Sequence, residues 1–193
     1  MARLGWVDGE SFLRRDRELM DAYGKGHLAM EDYMTFSLEP LIGRTPEEVD
    51  HLVGPWVEDF IEPIIFSDAT RTIAAHRKAG DRILVISASG THLVRPIAER
   101  LGIDEILGIE LEVAHGVYSG KTTGVLTYRE GKITRLLEWL DQEEENLEGA
   151  SFYSDSRNDL PLLVKVDYPH VVNPDPVLRE HAEKNGWPIH TWT

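Results

Sequence analysis

The sequence predicts an α/β fold in which a Rossmann-like parallel sheet follows a helical first part. Three observations carry that prediction. Apolar residues recur at helical spacing early in the chain, the texture changes near residue 65, and from there short apolar runs alternate with helical patterns. Ligands of such sheets gather at the carboxyl ends of the strands. The polar residues that follow each strand are therefore the ones that matter for function.

Helical spacing covers residues 11–23 and 30–42. Thr45-Pro46-Glu47-Glu48 reads as a helix start, with Thr45 as N-cap, Pro46 in the first turn and Glu48 closing a capping box. That helix extends through Trp56 to about residue 64, with a kink or break expected at Pro55. Residues 70–78 form the next helix, closed by Gly80. The run RILVIS at 82–87 is β-branched and apolar throughout, as in a strand buried on both faces. A helix at 93–101 ends at Gly102, strands and turns follow at 106–113 and 116–126, and 132–140 is helical. ASFYS at 150–154 is a strand, 159–164 opens a helix, and short strands at 170–172 and 189–191 flank a helix at Pro176–Asn185.

A chain of 193 residues suffices for one α/β domain with or without a small subdomain. Its net charge of −14 argues against a nucleic acid or an anionic membrane as partner. An anionic substrate would need a local positive pocket or a metal. The absence of cysteine excludes disulfides, thiolate catalysis and cysteine-ligated metals, and fits a cytoplasmic protein. The first ten residues lack the apolar core of a signal peptide. No stretch approaches the roughly 20 apolar residues that span a bilayer. The oligomeric state is left open.

Three features could carry chemistry. In Tyr153-Ser154-Asp155-Ser156-Arg157-Asn158-Asp159, Asp155 falls at a strand end and Asp159 in the first turn of a helix. A helical turn between them would put both carboxylates on one face, a hard oxygen pair suited to Mg²⁺; the same residues also suit a simple helix N-cap. Ser87-Ala88-Ser89-Gly90 offers a hydroxyl and the N–H groups of small residues before a helix, either a phosphate-binding turn or an ordinary cap. Lys132 stands at a helix start, where the dipole disfavours a cation. It is either a solvated surface lysine or a group placed to neutralise phosphate or carboxylate.

Other patterns fail. Gly120-Lys121-Thr122 resembles the end of a P-loop, but the glycine required five positions earlier is His115. The eight histidines show no zinc-ligand spacing, and no G-x-S-x-G elbow supports a serine nucleophile.

Taken in order, a strand with Ser87, a helix opened by Lys132, and a strand ending in Asp155 with Asp159 beyond resemble motifs II, III and IV of the haloacid dehalogenase (HAD) superfamily. FYSDSRNDLPLL looks like the fourth motif of its phosphoserine-phosphatase-like subfamily IB, and REGKITRLLEWL and NPDPVLREHAEKNGWPI look like bacterial hydrolases of that group. The resemblance implies a Mg²⁺-dependent phosphatase of small phosphorylated metabolites such as phosphoserine or histidinol phosphate. It implies that Ser87, with Ala88 and Ser89, binds the phosphoryl group and that Lys132 neutralises it. Asp155 and Asp159 would serve the metal, Asp159 alternatively holding Lys132, and Asn158 would contact phosphate or order the loop. Residues 1–64 would be a helical cap and 65–193 the HAD-like core.

One part of the pattern is missing. The family's first motif is a strand ending in D-x-D-x-[TV], whose first aspartate attacks phosphorus and whose second is the acid/base. No apolar strand here carries it. Asp8-Gly9-Glu10-Ser11 imitates it with Glu in the second acidic place and Phe12 where Thr or Val belongs, and phrases like LGWVD lie in the family's cap. The sequence is therefore expected to start late, to lack the central core strand and to be inactive alone. The alternatives are a non-catalytic phosphate- and metal-binding remnant, or a hydrolase that uses Asp8.

Overall fold

The computed structural model describes residues 8–24 and 29–193. These fall into two compact units, one within Met1–Leu52 and Glu110–Gly124, the other Val53–Ile109 with Val125–Thr193. Residues 53–64 belong with the second unit, and the hairpin at 110–124 belongs with the helical first one. Most of the phrase LGWVD lies outside the described residues.

In the first unit, α1 (Gly9–Gly24) and α2 (Met30–Leu38) are followed by a 3₁₀ turn at Glu39–Leu41. Met30, Met34, Leu38 and Leu41 are buried, three of them on one face of α2 at helical spacing. Helix α3 (Pro46–Trp56) starts at the predicted capping box: Thr45 N–H donates to Glu48 Oε2 at 2.8 Å and Glu48 N–H donates to Thr45 Oγ1 at 3.1 Å. Tyr118 exchanges backbone bonds with Gly43 and Arg44 at 2.9 and 2.8 Å. Beyond α3 the helix widens into a π turn at Val57–Ile61 and tightens into a 3₁₀ turn at Glu62–Ile64. Pro55, which brings no N–H for the turn before it, sits just ahead of that irregularity.

The second unit alternates strand and helix as predicted. Its elements are α4 (Ser67–Ala79), β1 (Leu84–Gly90), α5 (Thr91–Arg100), β2 (Glu105–Ala114, which runs on into the first unit to pair with β3, Val117–Thr123), α6 (Glu130–Gln142), β4 (Ser151–Ser154), α7 (Leu160–Leu163), β5 (Tyr168–Val172), α8 (Pro176–Asn185) and β6 (Ile189–His190). Gly80 closes α4 at φ 88°, a left-handed cap that costs glycine little. The strands form two three-stranded sheets, β1-β2-β3 and β4-β5-β6. β1–β2, β4–β5 and β5–β6 are parallel, and β2–β3 is antiparallel. β1 pairs with β2 and β4 with β5, and no described strand joins β1 to β4.

The two sheets share a core without sharing a ladder. Leu136 and Leu140 of α6 pack with Leu107 and Leu162, and Leu84, Ile86 and Phe152 lean on the same cluster. A second cluster, Leu163, Val171, Leu178 and Ala182, seats α7 and α8 on β5. On the other face of β4–β6, Tyr153 stacks on His170 with ring centroids 4.4 Å apart, and its hydroxyl meets His76 Nε2 at 2.9 Å. Burial, then the neighbouring His190 and His76, hold the His170 pKa below its ordinary value.

β1 begins and ends later than the RILVIS run suggested. Arg82 lies outside the strand, where its guanidinium pairs with Glu105 at 2.7 Å and Glu143 at 2.6 Å. The strand continues to Gly90, with its register against β2 shifting between Ile86 and Gly90. Ser87, Ala88 and Ser89 are therefore part of an irregular strand that runs directly into α5, and not a turn after it.

Candidate active site

The site residues gather in the second unit around the ends of β1 and β4. The β4 side is tightly built. Ser154, the last residue of β4, is buried, and its hydroxyl accepts the Ser156 N–H at 3.1 Å and donates to Asp159 Oδ2 at 2.7 Å. Ser156 caps the 3₁₀ turn Arg157–Asp159, its own hydroxyl accepting Asn158 N–H at 3.2 Å. The other oxygen of Asp159, Oδ1, meets Lys132 Nζ at 2.6 Å, and the two side chains are only 7% and 10% exposed.

Lys132 reaches this position from the first turn of α6. Gly131 permits it: a Cβ there would lie 1.9 Å from the Leu126 carbonyl oxygen, so only glycine tolerates the close approach of that loop. A desolvated ion pair holds only when its remaining bonding capacity is used. The Ser154 hydroxyl does that for Asp159.

Asp155 differs. Its carboxylate is exposed, and the structure gives it no ion pair or side-chain hydrogen bond among the described residues. Its backbone is fixed instead, the Asp155 carbonyl accepting Asp175 N–H at 2.9 Å. Asp175 in turn accepts Arg157 N–H at 2.6 Å and caps α8 through Val177 and Leu178. Asn158 is buried, with its Oδ1 accepting from Arg129 Nε at 3.1 Å and the Tyr128 hydroxyl at 3.3 Å.

The β1 side is simpler. Ser87 Oγ accepts Ser89 N–H at 3.2 Å, and the Ser87 carbonyl accepts from the buried Thr127 hydroxyl at 2.5 Å. Ser87 and Ala88 are half-buried and Ser89 is exposed. His92, at the start of α5, has its pKa pulled down to about 4 by burial, so its imidazole is neutral at neutral pH.

The structure thus brings Lys132 and Asp159 into contact and leaves Asp155 facing solvent. Thr127, Arg129 and Asp175 also hold these groups, and the sequence singled out none of them. Asp175 had a signal, an Asp immediately before Pro176 at a helix start. Thr127 and Ser154 had none, because their partners are defined only by the fold.

For a metal, the donor set is small. Both oxygens of Asp159 are engaged, and no cluster of three or more His, Asp or Glu side chains able to hold a cation occurs among the described residues. One open carboxylate, Asp155, fits an ion of the Mg²⁺ kind, which keeps much of its shell as water and phosphate oxygen. It does not fit zinc, which wants three or four protein ligands.

Comparison with known proteins identifies the family. The family model for haloacid dehalogenase-like hydrolases matches residues 2–164. A histidinol-phosphatase of Neisseria meningitidis is 35% identical over 193 residues, covering 98% of this chain and 87% of that protein. The crystal structure of a Bordetella pertussis protein of unknown function superposes with a TM-score of 0.86 at 33% identity, over 92% of this chain and 81% of that one. A phosphoserine phosphatase solved as a phospho-aspartyl intermediate analogue shares the fold, with a TM-score of 0.65 at 22% identity over 92% of this chain and 79% of that one. The chain belongs to the haloacid dehalogenase-like hydrolase family.

Proposed function

We propose that this chain carries the cation, hydroxyl and metal-binding parts of a Mg²⁺-dependent hydrolase of small phosphate monoesters. One observation carries the reading: a buried Lys132–Asp159 pair, locked by Ser154, stands beside the exposed carboxylate of Asp155 at the end of β4. A fixed ammonium, an open hard-oxygen ligand and a hydroxyl presented by an irregular strand are what positioning and charge stabilisation of a phosphoryl group require. The names of the neisserial relative and of the solved phosphatase make histidinol phosphate and phosphoserine the first substrates to try.

In this reading Asp155 holds the metal, and Asp159 holds Lys132 in place. A bound Mg²⁺ would supply charge neutralisation of the phosphoryl oxygens. Ser87, whose oxygen accepts the Ser89 N–H, keeps its own proton to donate to a phosphoryl oxygen. Ala88 and Ser89 present backbone beside it. Asn158, its oxygen already bonded, orders the loop. We assign the first compact unit, which holds most of residues 1–64, the role of a cap that selects the leaving group.

The nucleophile is not among these residues in this reading. Asp8 sits at a helix start, where its carbonyl accepts Phe12 N–H at 2.9 Å, and not at a strand end. β1 and β4 each pair on one side among the described strands, which leaves room in their hydrogen bonding for a strand that would bring an attacking aspartate. Reaction there would pass through an aspartyl-phosphate. The 193 residues alone are expected to release no phosphate from either substrate with Mg²⁺ present.

The test is Asp155→Asn in the protein as its organism makes it. Mg²⁺-dependent turnover should fall roughly 100-fold or more, about 2.7 kcal/mol of barrier. Near-normal turnover would remove Asp155 from the site. Turnover by the short chain that Asp8→Asn abolishes would move the nucleophile to Asp8. Binding of phosphate without turnover in every form of the protein would favour the non-catalytic remnant.

A further inference from the structure

Tyr128-Arg129-Glu130-Gly131 is a tight turn, closed by Gly131 N–H donating to the Tyr128 carbonyl at 2.9 Å. Arg129 occupies its second position at φ 49°, ψ −120°. Those angles define a type II′ turn, in which this position belongs to glycine because a side chain there is strained. Strain of this kind persists where the surrounding structure holds it, and it clusters at functional sites. An arginine kept where glycine fits best points to a use for its side chain.

The side chain is aimed and only partly engaged. Arg129 Nε donates to Asn158 Oδ1 at 3.1 Å, and the guanidinium lies 5.0 Å from the centre of the Tyr128 ring. Arg129 is exposed, and its two terminal nitrogens have no hydrogen bond and no carboxylate among the described residues. Asn158 is the neighbour of Asp159, so the anchored end of the guanidinium stands one residue from the Lys132 pair. Before a divalent metal binds Asp155, the charge balance there calls for another cation. Lys132 is buried and already neutralised by Asp159, and Asp155 adds a second, uncompensated carboxylate. A phosphate dianion approaching those three groups alone meets net negative charge.

We infer that Arg129 is the second cation of the site and binds two oxygens of the phosphoryl group through its free guanidinium edge. The inference rests on the phosphate-site reading above and adds to it a specificity for a doubly charged tetrahedral oxyanion. Two parallel N–H donors match two phosphate oxygens, a geometry that an ammonium does not offer.

The experiment measures binding of inorganic phosphate to the 193-residue chain without divalent metal, by calorimetry, together with the Tm of each variant. Arg129→Gly should raise the Kd about 10-fold, the worth of a lost charge-assisted contact. Its Tm should stay level or rise, because glycine relieves the turn. Arg129→Gln, whose amide nitrogen falls where Nε stands and keeps a donor for Asn158 but which loses the charge and the two terminal nitrogens, should raise the Kd similarly. Asp155→Asn reports on the site itself and should tighten metal-free phosphate several-fold by removing a repelling charge. If Asp155→Asn tightens binding while both Arg129 variants leave the Kd unchanged, the inference is overturned and the phosphate site stands. A fall of several degrees in the Tm of Arg129→Gly with an unchanged Kd in Arg129→Gln would make Arg129 a structural residue, which also overturns it. No binding by the parent chain, or a Kd that Asp155→Asn does not move, would overturn the phosphate site and the inference together.

Discussion

The two strand ends of the site are built to different standards. At the end of β4, Ser154, Asp155, Ser156, Asn158 and Asp159 are tied to one another, to Lys132 and to Asp175 by side-chain and backbone bonds, and three of the five are buried. In the second half of β1, Ser87 has one weak local bond through its hydroxyl and one strong bond through its carbonyl. The difference teaches what each end is for. A cation and a carboxylate taken out of water must be held by exact partners, because any mismatch leaves a charge unsolvated. A hydroxyl and a few N–H groups need only be presented, and a strand that runs straight into a helix presents them with little support.

The contrast is best broken at its strongest point. Lys132→Met leaves Asp159 buried with only the Ser154 hydroxyl, and should cost about 3–5 kcal/mol of stability in urea unfolding. A loss under about 1 kcal/mol would mean that the pair is effectively solvated. The next effect belongs to pH. His92 and His170 both have pKa values lowered on folding, so the unfolded chain binds protons first as pH drops. The stability that these neutral rings contribute is present above about pH 6.5 and is lost as pH falls from there towards 4. His92 accounts for up to about 3 kcal/mol of it. Denaturation followed between those limits should show that slope, and His92→Gln should flatten most of it; an unchanged slope would place the effect elsewhere. The smallest effects compare the two serines directly. Ser154→Ala removes a bond to a buried carboxylate and should cost about 1.5–3 kcal/mol, while Ser87→Ala should cost about 0.5 kcal/mol or less. Equal losses would erase the distinction.

Much of this was legible in the sequence because it depends on near neighbours. The Thr45–Glu48 capping box, the Gly80 cap and the order of strands and helices need only residues a turn apart. The bond from Lys132 to Asp159 was one of two readings of Asp159, and nothing local could choose between them. The choice depends on how α6 packs beside β4. The end of β1 was misplaced because RILVIS stops being apolar at Ser87, while the backbone stays extended for three residues more against β2. Arg129 gave no sign at all. Its left-handed conformation, and the close approach of the Leu126 carbonyl to Gly131 two residues on, are not announced by the letters Tyr-Arg-Glu-Gly.

The separate sheets have a colloidal consequence. Strand edges that lack a partner, as β1 and β4 do among the described strands, are templates on which a strand of another copy can pair. The charge of −14 opposes such encounters, since each copy repels the next. That repulsion is long-ranged and is screened beyond about 10 Å at 0.1 M salt, whereas the edges act at contact. Raising the ionic strength therefore weakens what keeps copies of this chain apart and leaves the edges as they are.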